Sequence, residues 1–157
     1  MADLEDLYRE IILDHYRSPR NRGELEGDGV VRVEGFNPLC GDEIVVSAIF
    51  SDGQLSDIKI GGQGCSISQS SASLMSAAVK GKSIEQVRQI IDTFKTLMTV
   101  HEAQLEETET SVEPEPVDLR SLGELAALQG VVKFPVRIKC ATLSWNTLTQ
   151  CLGEAGL

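Results

Sequence analysis

Aromatic side chains are scarce in this 157-residue chain, at one Trp, two Tyr and four Phe. Its core therefore has to be filled by Val, Ile, Leu and Ala. Only two histidines are present, too few to argue for a Ser-His-Asp arrangement. His101-Glu102 is no metalloprotease motif, because Leu105 stands where the second His belongs. Basic residues are also few, 14 Lys and Arg against 24 Asp and Glu, for a net charge of -10. That balance argues against nucleic acid, whose binding relies on neutralised phosphates, and against an anionic membrane surface. The longest apolar run, Ile44 to Phe50, is interrupted by Ser47 and is far too short to span a bilayer. The start, Met1-Ala2-Asp3-Leu4-Glu5-Asp6, is acidic where a signal peptide is basic and then apolar. A cytoplasmic protein is expected, and in that compartment cysteines stay reduced.

The length favours one domain over residues 1–157, and 41% hydrophobic with 24% charged residues argues for a folded chain. Leu4, Leu7, Tyr8, Ile11, Ile12 and Tyr16 recur at helical spacing, with Asp3 as cap and Pro19 as terminator. His15 within that helix is expected to make a structural hydrogen bond. Val31 and Val33 alternate with Arg32 and Glu34, Ile44 to Phe50 is rich in β-branched residues, and Leu55 to Ile60 returns after an Asp52-Gly53 turn signal. Three strands with short links predict an antiparallel meander. Gly61-Gly62-Gln63-Gly64 reads as a loop; it lacks the Gly-Lys-Ser/Thr of a P-loop. A Ser- and Ala-rich helix over 67–80 is predicted next. Ser83 and Gln86 then form a capping-box pattern ahead of a helix whose stripe is Ile84, Val87, Ile90, Ile91, Phe94, Leu97 and Met98. Residues 99–118 are dense in Glu, with Pro114 and Pro116, and read as a mobile acidic loop. A short helix (Leu119, Leu122, Leu125, Leu128) and a last one from about Pro135, with the stripe Ala141, Trp145, Leu148 and Leu152, complete the chain. The class is α+β, a small three-stranded antiparallel sheet with helices packed mainly on one face.

Cysteines stand at 40, 65, 140 and 151, and no pair has CxxC spacing, which excludes a zinc finger or thioredoxin motif. Two readings stay open for them: a site assembled from distant segments, or thiols that only pack. Cys40-Gly41-Asp42 puts two ligand types two residues apart, on one side of an extended chain and roughly 6.6 Å apart; Asp42 could equally serve a turn after Pro38. Cys65 precedes a helix, whose N-terminus favours the thiolate. Cys140 is flanked by Arg137 and Lys139, cations that favour a thiolate as well. Cys151 comes eleven positions after Cys140 in one predicted helix, roughly 16 Å along the axis. Both cannot bind one ion, so Cys151 is assigned to packing. The candidate set is Cys40, Asp42, Cys65 and Cys140. Three thiolates and a carboxylate suit tetrahedral zinc or an iron–sulfur cluster, with Lys139 as a candidate balancing charge.

At these residues the sequence resembles the U-type iron–sulfur cluster assembly family (IscU, SufU and the NifU N-terminal domain). The segments that carry the likeness are Asp14-His15-Tyr16 with Pro19-Arg20-Asn21-x-Gly23, Asn37-Pro38-x-Cys40-Gly41-Asp42, Gly64-Cys65-Ser66-Ile67-Ser68, Val79-Lys80-Gly81-Lys82-Ser83 and Arg137-Ile138-Lys139-Cys140. Scaffold-type members carry His directly before the third cysteine and a Leu-Pro-Pro-Val-Lys segment. This chain has Lys139 and Lys133-Phe134-Pro135-Val136-Arg137 instead. The acidic insertion, about 99–128 with Leu122-Gly123-Glu124-Leu125, is similar to SufU-type members. For these the resemblance implies a zinc-dependent sulfurtransferase that accepts persulfide sulfur from a SufS-type cysteine desulfurase and passes it to downstream iron–sulfur assembly machinery. It implies zinc at Cys40, Asp42, Cys65 and Cys140, with Cys40 as the catalytic sulfur acceptor. The alternative it leaves is a scaffold that builds and transfers a [2Fe-2S] cluster.

Overall fold

The computed structural model describes residues 4–38, 41–105, 125, 127–128 and 135–156. Among them the order is helix α1 (Leu4–Arg17), strands β1 (Val30–Asn37), β2 (Asp42–Ser51) and β3 (Gln54–Gln63), then helices α2 (Ser66–Val79), α3 (Ile84–Leu105) and α4 (Pro135–Glu154). The strands form one antiparallel sheet in the order β1-β2-β3. Asp52 and Gly53 make the tight β2–β3 turn, both at positive φ, 53° and 72°. A register shift between Ile49 and Phe50 lets Leu55 and Ile58, three apart, both turn inward.

The inward face of the sheet carries Val33, Ile44, Val46, Ala48, Ile58 and Ile60, all buried. Helices α2, α3 and α4 cover it. Val87, Ile91, Phe94, Leu97 and Met98 of α3 are buried, as are Ala141, Trp145, Leu148 and Leu152 of α4. Trp145 does the aromatic work that so few rings allow. Its ring stacks on Phe94 at a centroid distance of 4.2 Å, and its Nε1–H donates to Ser71 Oγ of α2 at 3.0 Å. The capping box forms as expected: Gln86 N–H donates to Ser83 Oγ, and Ser83 N–H to Gln86 Oε1, both at 3.2 Å.

The segment between α1 and β1 ties the sheet edge to the helices. Ile60 N–H donates to Asn21 O at 2.8 Å and Gly23 N–H to Ile60 O at 3.0 Å, a parallel bridge that covers part of the outer edge of β3. Asn21 Nδ2 reaches Ser76 Oγ at 3.1 Å, and Arg20 N–H reaches Ser73 Oγ at 2.8 Å. His15 is buried, with Nδ1 2.7 Å from that same Ser73 hydroxyl. This is the structural role expected of it.

Three expectations need correction. Gly61-Gly62-Gln63 is not a loop: it continues β3, paired with Val45, Ile44 and Glu43. Gly62, at φ 104°, lies so near β2 that a Cβ would sit 2.1 Å from Glu43 O, so the glycine serves close pairing. The acidic segment expected as a loop from 99 starts as helix, because α3 runs on to Leu105; its remainder to 118 lies outside the described residues. The α1 stripe is narrower than its spacing suggested, since Leu7 and Tyr16 are exposed while Ile11 and Ile12 pack on the core. Of the short leucine helix, Leu125 and Leu128 are buried with Ala127 in 3-10 conformation, while Leu119 and Leu122 lie outside the described residues.

Candidate metal centre

Three elements end together at one edge of the molecule. Asp42 opens β2, paired with Asn37 where β1 closes. Gly41 N–H donates to Asn37 O at 2.8 Å, so the backbone itself closes that turn. The Asp42 side chain is not needed there and points elsewhere. It is fully buried, and its Oδ1 accepts the N–H of Cys65 at 2.9 Å. Cys65 is the N-cap of α2, where its Sγ accepts from Ser68 N–H at 3.5 Å and lies 3.7 Å from Asp42 Oδ2. Cys140, fully buried in the second turn of α4, accepts from Asn37 Nδ2 at 3.9 Å.

One ligand atom each from Asp42, Cys65 and Cys140 all fall within 4.8 Å of one another. Bonds of about 2.0–2.3 Å to zinc put tetrahedral neighbours roughly 3.4–3.8 Å apart, so the 3.7 Å from Cys65 Sγ to Asp42 Oδ2 already suits one edge. The chemistry also fits. A buried carboxylate beside two thiols needs a positive partner to carry its charge. Arg137 and Lys139 are exposed, so the expected balancing charge of Lys139 lies on the solvent side of α4. A divalent ion would supply the charge inside. The positive end of α2 adds to it at Cys65. The donors present therefore fit a thiophilic metal.

Cys40, the fourth residue of the expected set, lies outside the described residues. Cys151 stands apart from the three donors. It is fully buried beside Val46 O at 3.7 Å, and burial, with the Glu154 charge second, pushes its thiol up to about 12. It stays a protonated packing group at neutral pH, in keeping with its assignment to the core.

Two supporting residues escaped the sequence reading although both lie in quoted motifs. Gly64 leaves room for the carboxylate, since a Cβ there would lie 2.5 Å from Asp42 Oδ1. Asn37 contacts the Cys140 sulfur. Their adjacency to Cys65 and to the Pro38–Asp42 turn was the available signal; it gave no direction for either side chain.

Residues 7–141 match the NifU-like N terminal domain. A relative from Bacillus subtilis (strain 168), named a zinc-dependent sulfurtransferase SufU, is 44% identical over 95% of this chain and 91% of its own. A relative from Streptococcus pyogenes serotype M1, named an iron–sulfur cluster assembly scaffold protein IscU, is 37% identical over 97% of this chain and 86% of its own. A crystal structure from Fervidobacterium islandicum AW-1, described as a candidate iron–sulfur cluster assembly scaffold protein for the SUF system, superposes with a TM-score of 0.77. It is 26% identical and covers 94% of this chain and 98% of its own.

Proposed function

The chain belongs to the NifU-like N-terminal domain family, and from that premise we propose that it is a zinc-dependent sulfurtransferase of iron–sulfur cluster assembly. It takes persulfide sulfur from a cysteine desulfurase and hands it to downstream assembly machinery in the cytoplasm. The observation that carries this reading is the Asp42, Cys65 and Cys140 donor group, together with the 44% identity to a relative named for that activity. Zinc would be held by these three and by Cys40, and when bound it keeps thiols deprotonated at neutral pH.

Cys40 is the sulfur acceptor in this reading. It precedes Asp42 by two residues, and a segment that short spans at most about 7 Å. Its thiolate attacks the outer sulfur of the desulfurase persulfide. A new S–S bond forms on Cys40, the old one breaks, and the desulfurase cysteine leaves as a thiolate. Asp42 accepts the Cys65 N–H and orients the N-cap. The protonated, buried Cys151 takes no part. Among the described residues no helix is long and apolar enough to cross a membrane.

The test uses cysteine carrying labelled sulfur, the desulfurase, and either the parent chain or Cys40→Ala reloaded with zinc. Label is expected on the parent chain, bound through a bond that reductant releases, and absent from the variant. Label of equal amount on Cys40→Ala, or full stimulation of the desulfurase by it, overturns the transfer role and leaves the metal a structural one. The scaffold reading draws on the IscU-named relative; Lys139, where scaffold-type members carry His, speaks against it.

A further inference from the structure

The link that carries Cys65 is short and soft. β3 ends at Gln63 and α2 begins at Ser66, so Gly64 and Cys65 alone connect them. Glycines on both sides of Gln63, with Gly62 at φ 104°, give this backbone wide conformational freedom. Asp42 fixes the link from β2, through the Cys65 N–H. Arg22 fixes it from a different segment. Its Nη2 donates to Gly62 O and its Nη1 to Gln69 Oε1, both at 2.6 Å. Gly62 comes three residues before Cys65 and Gln69 four residues after it. One guanidinium therefore ties down both sides of a candidate ligand.

Three features separate this contact from that of an ordinary surface arginine. Its root is anchored: Arg22 bridges Ile60 of β3, with Asn21 O and Gly23 N–H bonded to that residue's backbone. Its acceptors are neutral, a backbone carbonyl and an amide oxygen, whereas Arg20 and Arg32 pair with carboxylates. Its partner is also held at a cost. Gln69 is buried, and its Nε2 has no partner among the described residues, a state that native interiors rarely leave unexplained. The amide keeps its oxygen on Arg22 and leaves its own donor unmatched. In the Pro19-Arg20-Asn21-x-Gly23 segment, Arg22 is the position to which the sequence assigns no role.

We propose that Arg22 is a positioning residue for Cys65. Its two N–H groups brace the end of β3 against the first turn of α2, and so fix the backbone that sets the Cys65 sulfur beside Asp42 and Cys140. A guanidinium suits this task because it is a rigid, planar fork with donors on separate nitrogens; a lysine ammonium is a single point charge on a flexible stem. The consequence for the metal rests on the reading that the donor group holds zinc. The consequence for the backbone does not.

The test uses the full chain and its Arg22→Ala and Arg22→Lys variants, with two readouts. Amide hydrogen exchange of the metal-free proteins reads the brace. Exchange over residues 62–69 is expected to be several-fold faster in both variants, with the core amides of α3 and α4 unchanged. Chelator competition reads the metal, and zinc affinity is expected to fall roughly tenfold in both. Unchanged exchange over 62–69 in Arg22→Ala overturns the proposal, as does faster exchange there with zinc affinity intact. Faster exchange shared by α3 and α4 overturns it too, since that marks a loss of global stability. If Arg22→Lys matches the parent in both readouts, charge and not the brace is at work, and the proposal falls. A parent chain that binds no zinc instead overturns the reading beneath it, and the exchange result then judges the brace alone.

Discussion

Asp42→Asn binds zinc about a hundred to a thousand times more weakly than the parent chain. The magnitude follows from the roughly 10–16 kcal/mol of a four-ligand structural zinc site, shared over four donors at about 1.4 kcal/mol per tenfold. The substitution is nearly isosteric. The amide oxygen keeps the Cys65 N–H hydrogen bond that Asp42 Oδ1 makes at 2.9 Å, so the α2 cap persists. What disappears is the buried negative charge and the second carboxylate oxygen 3.7 Å from Cys65 Sγ. Chelator competition reads the affinity, and circular dichroism of the metal-free variant establishes that its helices are intact. An unchanged affinity would make Asp42 a helix cap and nothing more.

Trp145→Ala costs the metal-free protein roughly 3–5 kcal/mol, the usual range for truncating a fully buried aromatic side chain. Trp145 is the chain's single tryptophan. It joins α4 to α3 through the Phe94 stack and to α2 through its hydrogen bond to Ser71. Truncation leaves a cavity where those three helices meet and removes the bond that Ser71 Oγ accepts, leaving only the one it donates to Ala141 O. The melting temperature should fall by roughly 6–20 °C, at about 2–4 °C per kcal/mol for a chain of this size. Urea unfolding followed by circular dichroism measures it, since the variant has no indole fluorescence. A loss under about 1 kcal/mol would mean that the site collapses around the missing ring.

The elements were legible because their signals are local. Strand alternation at Val31 and Val33, the Asp52-Gly53 turn, the Ser83–Gln86 box and the α4 stripe each draw on neighbours within a few residues. Gly61 to Gln63 misled because glycine signals a loop by composition, whereas its use here, close approach to Glu43 of β2, is tertiary. Leu7 and Tyr16 misled in the same way: spacing marks a helical face, and only packing decides how wide a face is covered. The donor set was legible as residue types but not as geometry. Asp42 reads equally well as a turn residue until its carboxylate is seen on Cys65 N–H and the turn closed by Gly41 N–H.

Zinc held for sulfur transfer and a cluster held for delivery differ in composition before they differ in anything else. Metal and acid-labile sulfide content of the chain purified without oxygen therefore separates them. One zinc for each chain and no sulfide is expected of the sulfurtransferase. Iron and sulfide in equal amounts, two of each per chain, would contradict it and make the protein a [2Fe-2S] scaffold in which Lys139 stands in for the scaffold histidine.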